Sequence, residues 1–301
     1  MTFEQLAIFI AVAEREHLTR AADAIHLTPS AVSSAIRKLE AFYRVTLFNR
    51  IGRRIELTRE GRAFLPEARA VLARAKAAEL MLAEMGGLAR GSLAVRASQT
   101  VASYWLPPML MRFHADHPGI NLALTTGNTA TVTRAVLDGE ADLGFVEGPV
   151  DEPALSVTRV ADDEVVVVVA PDHPWATGQA LEFGDLAESG RWVMREAGSG
   201  TRAVFEDALA TNGIDRARLV IVLELPSNEA VLSAVRTSGC AAAVSRISAE
   251  TLLLEGHLVR ANIALPARQF SLLRHKERRV SKAALVLTEL CLSLTDATMK
   301  V

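Results

Sequence analysis

The sequence predicts two unlike parts: a small all-α module carrying a two-stranded wing and one long helix, then a larger α/β region. Three observations carry that reading. Capped segments with helical apolar spacing fill Thr2 to Leu39, a heptad pattern runs from Phe64 to Met85, and beyond Gly91 strand-like and helix-like segments alternate.

The 301 residues suggest two or three domains at ~100–200 residues each. Half of them are hydrophobic, which excludes wholesale disorder. The longest purely apolar run, Leu6 to Ala13, is far short of the ~20 residues of a membrane helix. Glu4 precedes that run and no basic segment does, so no secretory signal is expected. Two cysteines, Cys240 and Cys291, cannot build a disulfide scaffold, and a cytoplasmic location is expected.

Taken whole, a formal charge of −2 argues against a polyanionic partner. Split by segment it does not. Met1 to Arg90 carries 14 basic and 10 acidic residues, the remainder 19 and 25. Between Arg37 and Arg59 seven basic residues face only Glu40 and Glu56. Such a stripe suits phosphates. On charge alone a solvated basic face is an equal reading, and the local pattern has to decide.

The first helix opens on Thr2-Phe3-Glu4-Gln5, a capping box, and Phe3, Leu6, Phe9, Ile10 and Ala13 recur at helical spacing. A second, short helix is expected from Thr19, its N-cap, through Ala21, Ala22 and Ile25. Thr28-Pro29 marks the third: a hydroxyl cap, then proline at the first helical position. There Val32, Ile36 and Leu39 face inward and Ser30, Ser33, Ser34, Arg37 and Lys38 face outward. Three such helices describe a helix-turn-helix. Val45 to Phe48 and Arg54 to Leu57 then alternate around Ile51-Gly52-Arg53, which reads as a wing with a basic tip.

Here a resemblance becomes specific. Ala21-Ala22, Ala31-Val32-Ser33, Ile36 to Glu40, Leu47 to Arg50 and Leu57 to Gly61 resemble the DNA-binding domain of LysR-type transcriptional regulators over about sixty residues. The resemblance implies double-stranded promoter DNA as partner. The chain departs from the family pattern in three places. Pro29-Ser30 stands where Gln-Pro is common, Ser34 and Ala35 replace longer polar residues, and Arg44 replaces the glycine that usually closes the helix. The first two departures remove amides suited to reading adenine, so base contacts are expected from Ser30, Ser33 and Arg37 beside Thr28, with shape readout taking a larger share. Arg50, Arg53 and Arg54 are assigned to phosphates or the minor groove.

From Thr58 to Met85 the chain reads as one helix. Phe64, Ala68, Val71, Ala75, Ala78, Leu82 and Met85 form a heptad seam whose alanines let a second helix approach closely, so a homodimer is expected. A helix packed on its own domain is the alternative, and the wrap-around polarity disfavours it. Gly86-Gly87 and Gly91 mark a break.

Beyond it, strands are expected at Ser92 to Ala97, Asn121 to Thr125, Ala141 to Val146, Val165 to Val169, Trp192 to Arg195, Leu219 to Leu225 and Ala241 to Ser245. Helices are expected at Tyr104 to His114, Val132 to Leu137, Arg202 to Ala210, Asn228 to Ser238 and Ile247 to Glu255. The all-valine run is the signature of a strand buried on both faces, and the series reads as a mostly parallel α/β domain. Ligands of such sheets sit outside the carboxyl ends of the strands. The loops there carry Ser98, Gln99 and Thr100, then Asn128 and Thr129, then Ser199, Gly200 and Thr201, then Asn228. Hydroxyls and free amides at helix starts make an anion site. For one loop ordinary N-capping is the simpler explanation; four at equivalent strand ends reverse that. Arg195 and Arg202 add charge there or form structural ion pairs.

This half also resembles the LysR-type regulators, as their effector domain: two lobes like type 2 periplasmic binding proteins with the ligand between them. Ala170 to Pro174 is a common family stretch, and the loops at Gly127 and Gly198 look most like the subgroup governing carbon fixation and sulfur assimilation. The resemblance implies a winged helix-turn-helix over 1–60, a linker and dimerisation helix over 58–86 and an effector domain over 91–301. Lobe I is then about 91–162 with 267–301, and lobe II about 163–266. It implies a regulator sensing a small anionic metabolite, as a homodimer or homotetramer able to contact RNA polymerase; no membrane partner, cofactor or metal is expected. An enzyme is disfavoured: no Gly-x-Ser-x-Gly elbow, metal-ligand spacing or P-loop lysine is present, and no catalytic residue is assigned. The alternative within regulation is redox sensing through Cys240, although a thiol between Gly239 and an alanine-rich strand reads as buried and inert.

Overall fold

The computed structural model describes residues 1–51, 54–85 and 91–298. The described chain divides into two units, Met1–Met85 and Gly86–Val301.

The first unit is built on three helices, α1 (Phe3–Arg15), α2 (Leu18–Ala24) and α3 (Pro29–Tyr43). Thr2 and Gln5 close the capping box on α1, and Thr28 accepts from the Ala31 N–H at the start of α3. The cap of α2 is His17, not Thr19: its Nδ1 accepts from the Arg20 N–H. Histidine is an uncommon cap, and only its unprotonated ring nitrogen can accept there. The inward residues of α3, Val32, Ile36 and Leu39, are buried with Leu6, Phe9 and Val12 of α1. Arg44 ends α3 at φ 53°, the left-handed conformation that glycine holds without a Cβ penalty.

The wing is displaced from its expected start. Its strands are β1 (Phe48–Ile51) and β2 (Arg54–Leu57), paired antiparallel. Val45 to Leu47 lie outside it, and one Glu40 carboxylate oxygen takes the Leu47 and Phe48 N–H groups at 2.7 and 3.1 Å. The carbonyls of Thr46 and Leu47 are taken by the Thr58 hydroxyl, which also accepts from Gly61 N–H at the head of the next helix.

That helix, α4 (Arg59–Met85), has 27 residues, about 40 Å at 1.5 Å per residue. Its first half packs on its own module. Phe64 stacks 5.0 Å from Phe9, Ala68 is buried beside it, and Arg69 pairs with Glu14 at 2.9 Å. Phe64 and Ala68 thus belong to the module core. The exposed continuation of the seam is Val71, Ala78 and Leu82.

The second unit holds two five-stranded sheets. The first has the order β4-β3-β5-β12-β6 and the second β11-β7-β10-β8-β9. In chain order β3 (Gly91–Ser98), β4 (Ile120–Gly127), β5 (Leu143–Glu147) and β6 (Leu155–Asp163) precede β7 (Val165–Val169), β8 (Arg191–Arg195), β9 (Val220–Leu225) and β10 (Ala241–Ser245). β11 (Val259–Arg260) and β12 (Arg268–His275) complete the set. The chain passes to the second sheet between Asp163 and Val165 and has returned by Arg268. We call the two halves lobe I and lobe II. Each crossing strand enters its sheet against the grain: β12 is antiparallel to β5 and β6, and β7 to β10 and β11. The sheets are therefore mixed, where the strand series suggested a mostly parallel arrangement.

The valine run is buried throughout, and it alternates between two cores. Val165, Val167 and Val169 meet Trp192, Met194 and Phe205 on one face; Val166 and Val168 meet Val231, Leu232 and Val235 on the other. Burying a side chain of that size stabilises by ~1.5–3 kcal/mol. Lobe I packs Val95, Phe113, Phe145 and Phe270 under α11 (Lys282–Thr298). Helices α6 (Thr129–Asp138), α8 (Gly200–Thr211) and α9 (Asn228–Arg236) follow β4, β8 and β9, and α5 (Pro107–Asp116), α7 (Phe183–Glu188) and α10 (Arg246–Leu254) lie elsewhere in the unit.

Candidate functional site

Two separate places collect the residues singled out from the sequence. Thr28, the cap of α3, and Ser30 and Arg37 on the face opposite Val32, Ile36 and Leu39 are exposed, and Ser33 at the flank is half-buried. The Thr28 and Ser30 hydroxyls lie 3.0 Å apart. Arg50 and Arg54 stand on neighbouring rungs of the wing, opposite Ile55 and Ile51. Arg53 lies outside the described residues, as do Gly86 and Gly87.

The second place is the cleft between the lobes, and its centre is a residue that sequence reasoning did not single out. Glu147 ends β5 and is 1% exposed. Its carboxylate accepts from the Ser98 hydroxyl, and from Thr100 Oγ1 at 3.2 Å. Its backbone carbonyl accepts from the Thr129 hydroxyl at 2.6 Å. A polar group is tolerated in such surroundings only when it is hydrogen-bonded. The available signal was a lone carboxylate closing an otherwise apolar strand.

Across the cleft, Asn228 Nδ2 donates to Thr100 Oγ1 at 2.9 Å, and the Asn228 N–H donates to Gln99 Oε1 at 3.0 Å. Arg195, 3% exposed, donates from Nη1 to Asn228 Oδ1 at 2.7 Å and to Gln99 Oε1 at 3.4 Å. Its other edge grips Glu196 in a two-bond fork at 2.8 and 3.1 Å. Asn128 caps α6 and reaches over to Glu196 at 3.2 Å, while the Ala130 N–H donates to the Gly198 carbonyl. Ser98, Gln99, Thr100 and Asn228 thus share one network with Arg195.

Ser199, Gly200 and Thr201 have other surroundings. Ser199 caps α8. Gly200 lies so close to β5 that a Cβ would stand 1.8 Å from the Glu147 carbonyl oxygen. Thr201 turns away from the network: its hydroxyl accepts from Arg268 Nη1 at 2.8 Å, and Arg268 is ion-paired to Asp163 at 2.5 Å. Asp163 and Arg268 are the residues at which the two crossovers leave and re-enter lobe I. Arg202 is engaged by Glu206, Glu224 and the Arg195 carbonyl, which makes it structural.

At the rim, Glu229 accepts from Gln99 Nε2 and from the Tyr104 hydroxyl. Burial raises the Glu229 carboxyl, but donation from its own N–H, Tyr104, Gln99 and Ser227 outweighs that and holds it below the ordinary carboxylate range. Burial, the bond to Glu229 and the charge of Glu229 all push the Tyr104 hydroxyl above its usual value. Beside the cleft, Thr129, Arg134, Ser199, Gly200 and Glu206 help to line an open cavity of about 540 Å³ between α6 and α8.

Both cysteines are buried, and burial pushes the Cys291 thiol up to about 12. Among the described residues no acidic, histidine or cysteine cluster fits a metal ion, and no helix is long and apolar enough to cross a membrane.

Comparison with known proteins bears on both places. The model of the lysR-family bacterial regulatory helix-turn-helix proteins matches residues 3–62, and that of the LysR substrate binding domain matches residues 86–295. The HTH-type transcriptional regulator YeiE of Escherichia coli (strain K12) is 33% identical over 285 residues, 94% of each chain. The RuBisCO operon transcriptional regulator of Allochromatium vinosum is 32% identical over 295 residues, 97% of this chain and 96% of that one. Among solved structures, full-length CbnR with its target DNA covers 98% of this chain and 100% of its own, at 23% identity and TM-score 0.65. The regulatory domain of Synechocystis PCC6803 CcmR with 2-PG covers 68% and 98%, at 24% identity and TM-score 0.63.

Proposed function

Starting from the fact that this chain belongs to the LysR family of DNA-binding transcriptional regulators, and is therefore not an enzyme, we propose how its parts divide the work. Residues 1–60 bind promoter DNA, 58–86 link and dimerise, and 91–301 sense a small anionic metabolite in the cleft. One observation carries the sensing role: Gln99 of lobe I and Asn228 of lobe II both accept from one buried arginine, Arg195, and Thr100 and Ser98 join them through Asn228 and Glu147. Thr129, Ser199 and Gly200 help to line the adjoining cavity, and Asn128 caps α6 and bonds to Glu196 across the cleft. Thr201 acts from behind, through Arg268. The relative of A. vinosum is named for a RuBisCO operon, and the neighbouring regulatory domain was solved with 2-PG; both favour a small oxyanion of central metabolism.

On DNA, Thr28, Ser30, Ser33 and Arg37 face the groove, and Arg50, Arg53 and Arg54 meet phosphates or the minor groove. The exposed part of the α4 seam pairs two chains, and closure of the cleft changes how effector domains pack in a homodimer or homotetramer. Half-site spacing or DNA bend then changes, and with it contact with RNA polymerase. The test is a thermal-shift series on the full chain with sulfate, phosphate and short phosphorylated acids. A ligand at 100 Kd stabilises by ~2.7 kcal/mol. Stabilisation that disappears in Thr100→Val while DNA affinity stays is the expected result. No stabilisation by any anion rejects the anionic reading.

A further inference from the structure

Gln99 is held by its carbonyl end. With Oε1 accepting from the Asn228 N–H and Arg195, its amide donors point outward to the rim. There Nε2 lies 2.7 and 3.0 Å from the two carboxylate oxygens of Glu229, and the Tyr104 hydroxyl donates to the same carboxylate at 2.8 Å. Gln99 and Tyr104 follow β3 in lobe I, whereas Glu229 sits in the first turn of α9 in lobe II. The contact therefore ties one lobe to the other.

Every group bonded to that carboxylate is a donor: the Gln99 amide, the Tyr104 phenol, Ser227 and its own N–H at the start of α9, whose positive end favours negative charge. An aliphatic or cationic group placed there would leave the amide and the phenol without an acceptor. Glu229 itself is exposed and, among the described residues, forms no ion pair. Hydrogen bonds alone retain it, and another oxyanion can exchange for it.

We propose that Glu229 is an internal stand-in for the effector: its carboxylate fills an oxyanion position read by Gln99 and Tyr104 and bridges the lobes until a compact carboxylate- or phosphate-bearing ligand displaces it. The direction of both shifts at this contact agrees, since the carboxyl stays charged and the phenol stays a donor. The inference rests on the anionic reading of the cleft and adds the group the anion must replace.

Glu229→Gln keeps the shape and one acceptor oxygen but removes the competing charge. Full-length wild type, Glu229→Gln and Tyr104→Phe are titrated calorimetrically with inorganic phosphate and with sulfate, at low salt and at 0.5 M. Amide exchange over 99–105 and 228–231 is followed without ligand. Glu229→Gln is expected to bind the probe about threefold or more tightly at low salt, with the gain shrinking at high salt. Tyr104→Phe, missing one donor, is expected to bind it more weakly than wild type. Exchange in both segments is expected to quicken in Glu229→Gln.

Equal probe affinity in wild type and Glu229→Gln overturns the stand-in and leaves the anionic reading intact. Binding to neither protein overturns displacement together with that reading. Unchanged exchange overturns the bridge whatever the titration gives.

Discussion

Replacing Gly200 by alanine tests whether the lobes close by direct backbone contact. The added Cβ would lie 1.8 Å from the Glu147 carbonyl oxygen and 2.6 Å from Thr129 Oγ1. Reaching an ordinary contact of 3.4 Å needs about 1.6 Å of separation. No flexible side-chain end can yield that distance. The Glu147 carbonyl belongs to a buried strand and holds the Thr129 hydroxyl, so the start of α8 has to move. Overpacking of this kind costs ~1–3 kcal/mol, which displaces the closed form by about 5- to 150-fold. Native-state hydrogen exchange of the full chain reads it directly. Amides of 98–104 and 195–202 should exchange faster by that factor, while those of α1 to α3, in the other unit, keep their rates. Rates within twofold of wild type across the cleft would refute the argument.

Four further outcomes follow from the same structure. Asp163→Asn leaves the Arg268 cation buried without its partner and should cost ~3–5 kcal/mol in urea unfolding, with much of the loss recovered in Asp163→Asn/Arg268→Met; equal losses contradict this. Changing Arg50, Arg53 and Arg54 to alanine should reduce the slope of log affinity against log salt by ~0.9 per contact, and an unchanged slope takes the wing out of the interface. Burial keeps His173 neutral against the opposing charge of Asp172, so the unfolded chain takes up a proton first as pH falls through ~6.5. Stability is then full above that pH and declines below it towards the lowered folded value, a slope that His173→Asn should flatten in thermal melts. Val71→Glu with Leu82→Glu places like charges on the exposed seam and should shift the chain towards monomer in sedimentation; an unchanged mass removes the seam from the dimer.

Elements fixed by local chemistry were legible in the sequence. Thr2 with Gln5, Thr28 with Pro29, Ser199 and Ser227 each cap a helix through bonds no more than three residues long, so the pattern contains its own partner. The buried valine strand was legible for a similar reason: no polar side chain offers it a solvent face. The crossing strands were not. β6 and β12 mix apolar with polar and charged residues, and they pair across about a hundred residues, Arg268 opposite Asp163 and His275 opposite Leu155. Nothing local says which partner either has or that it runs antiparallel. The cleft divides in the same way. Hydroxyls and amides at strand ends marked Ser98, Thr100 and Asn228. Of the carboxylates that organise them, Glu147 is met by hydroxyls of its own lobe 47 and 49 residues away, and Glu196 and Glu229 are met from the other lobe. Thr201 shows the limit most plainly, for its spacing is that of its neighbours and only tertiary packing turns it to Arg268.

The central claim is that an anion in the cleft changes how the N-terminal module holds DNA. Genome-wide footprinting first supplies an operator. Its bend and protected length are then measured with and without a saturating oxyanion, for wild type and Thr100→Val. Wild type is expected to show a shift in bend or footprint and Thr100→Val none, with equal DNA affinity for both without ligand. A ligand that binds the cleft and leaves bend, footprint and affinity unchanged contradicts it.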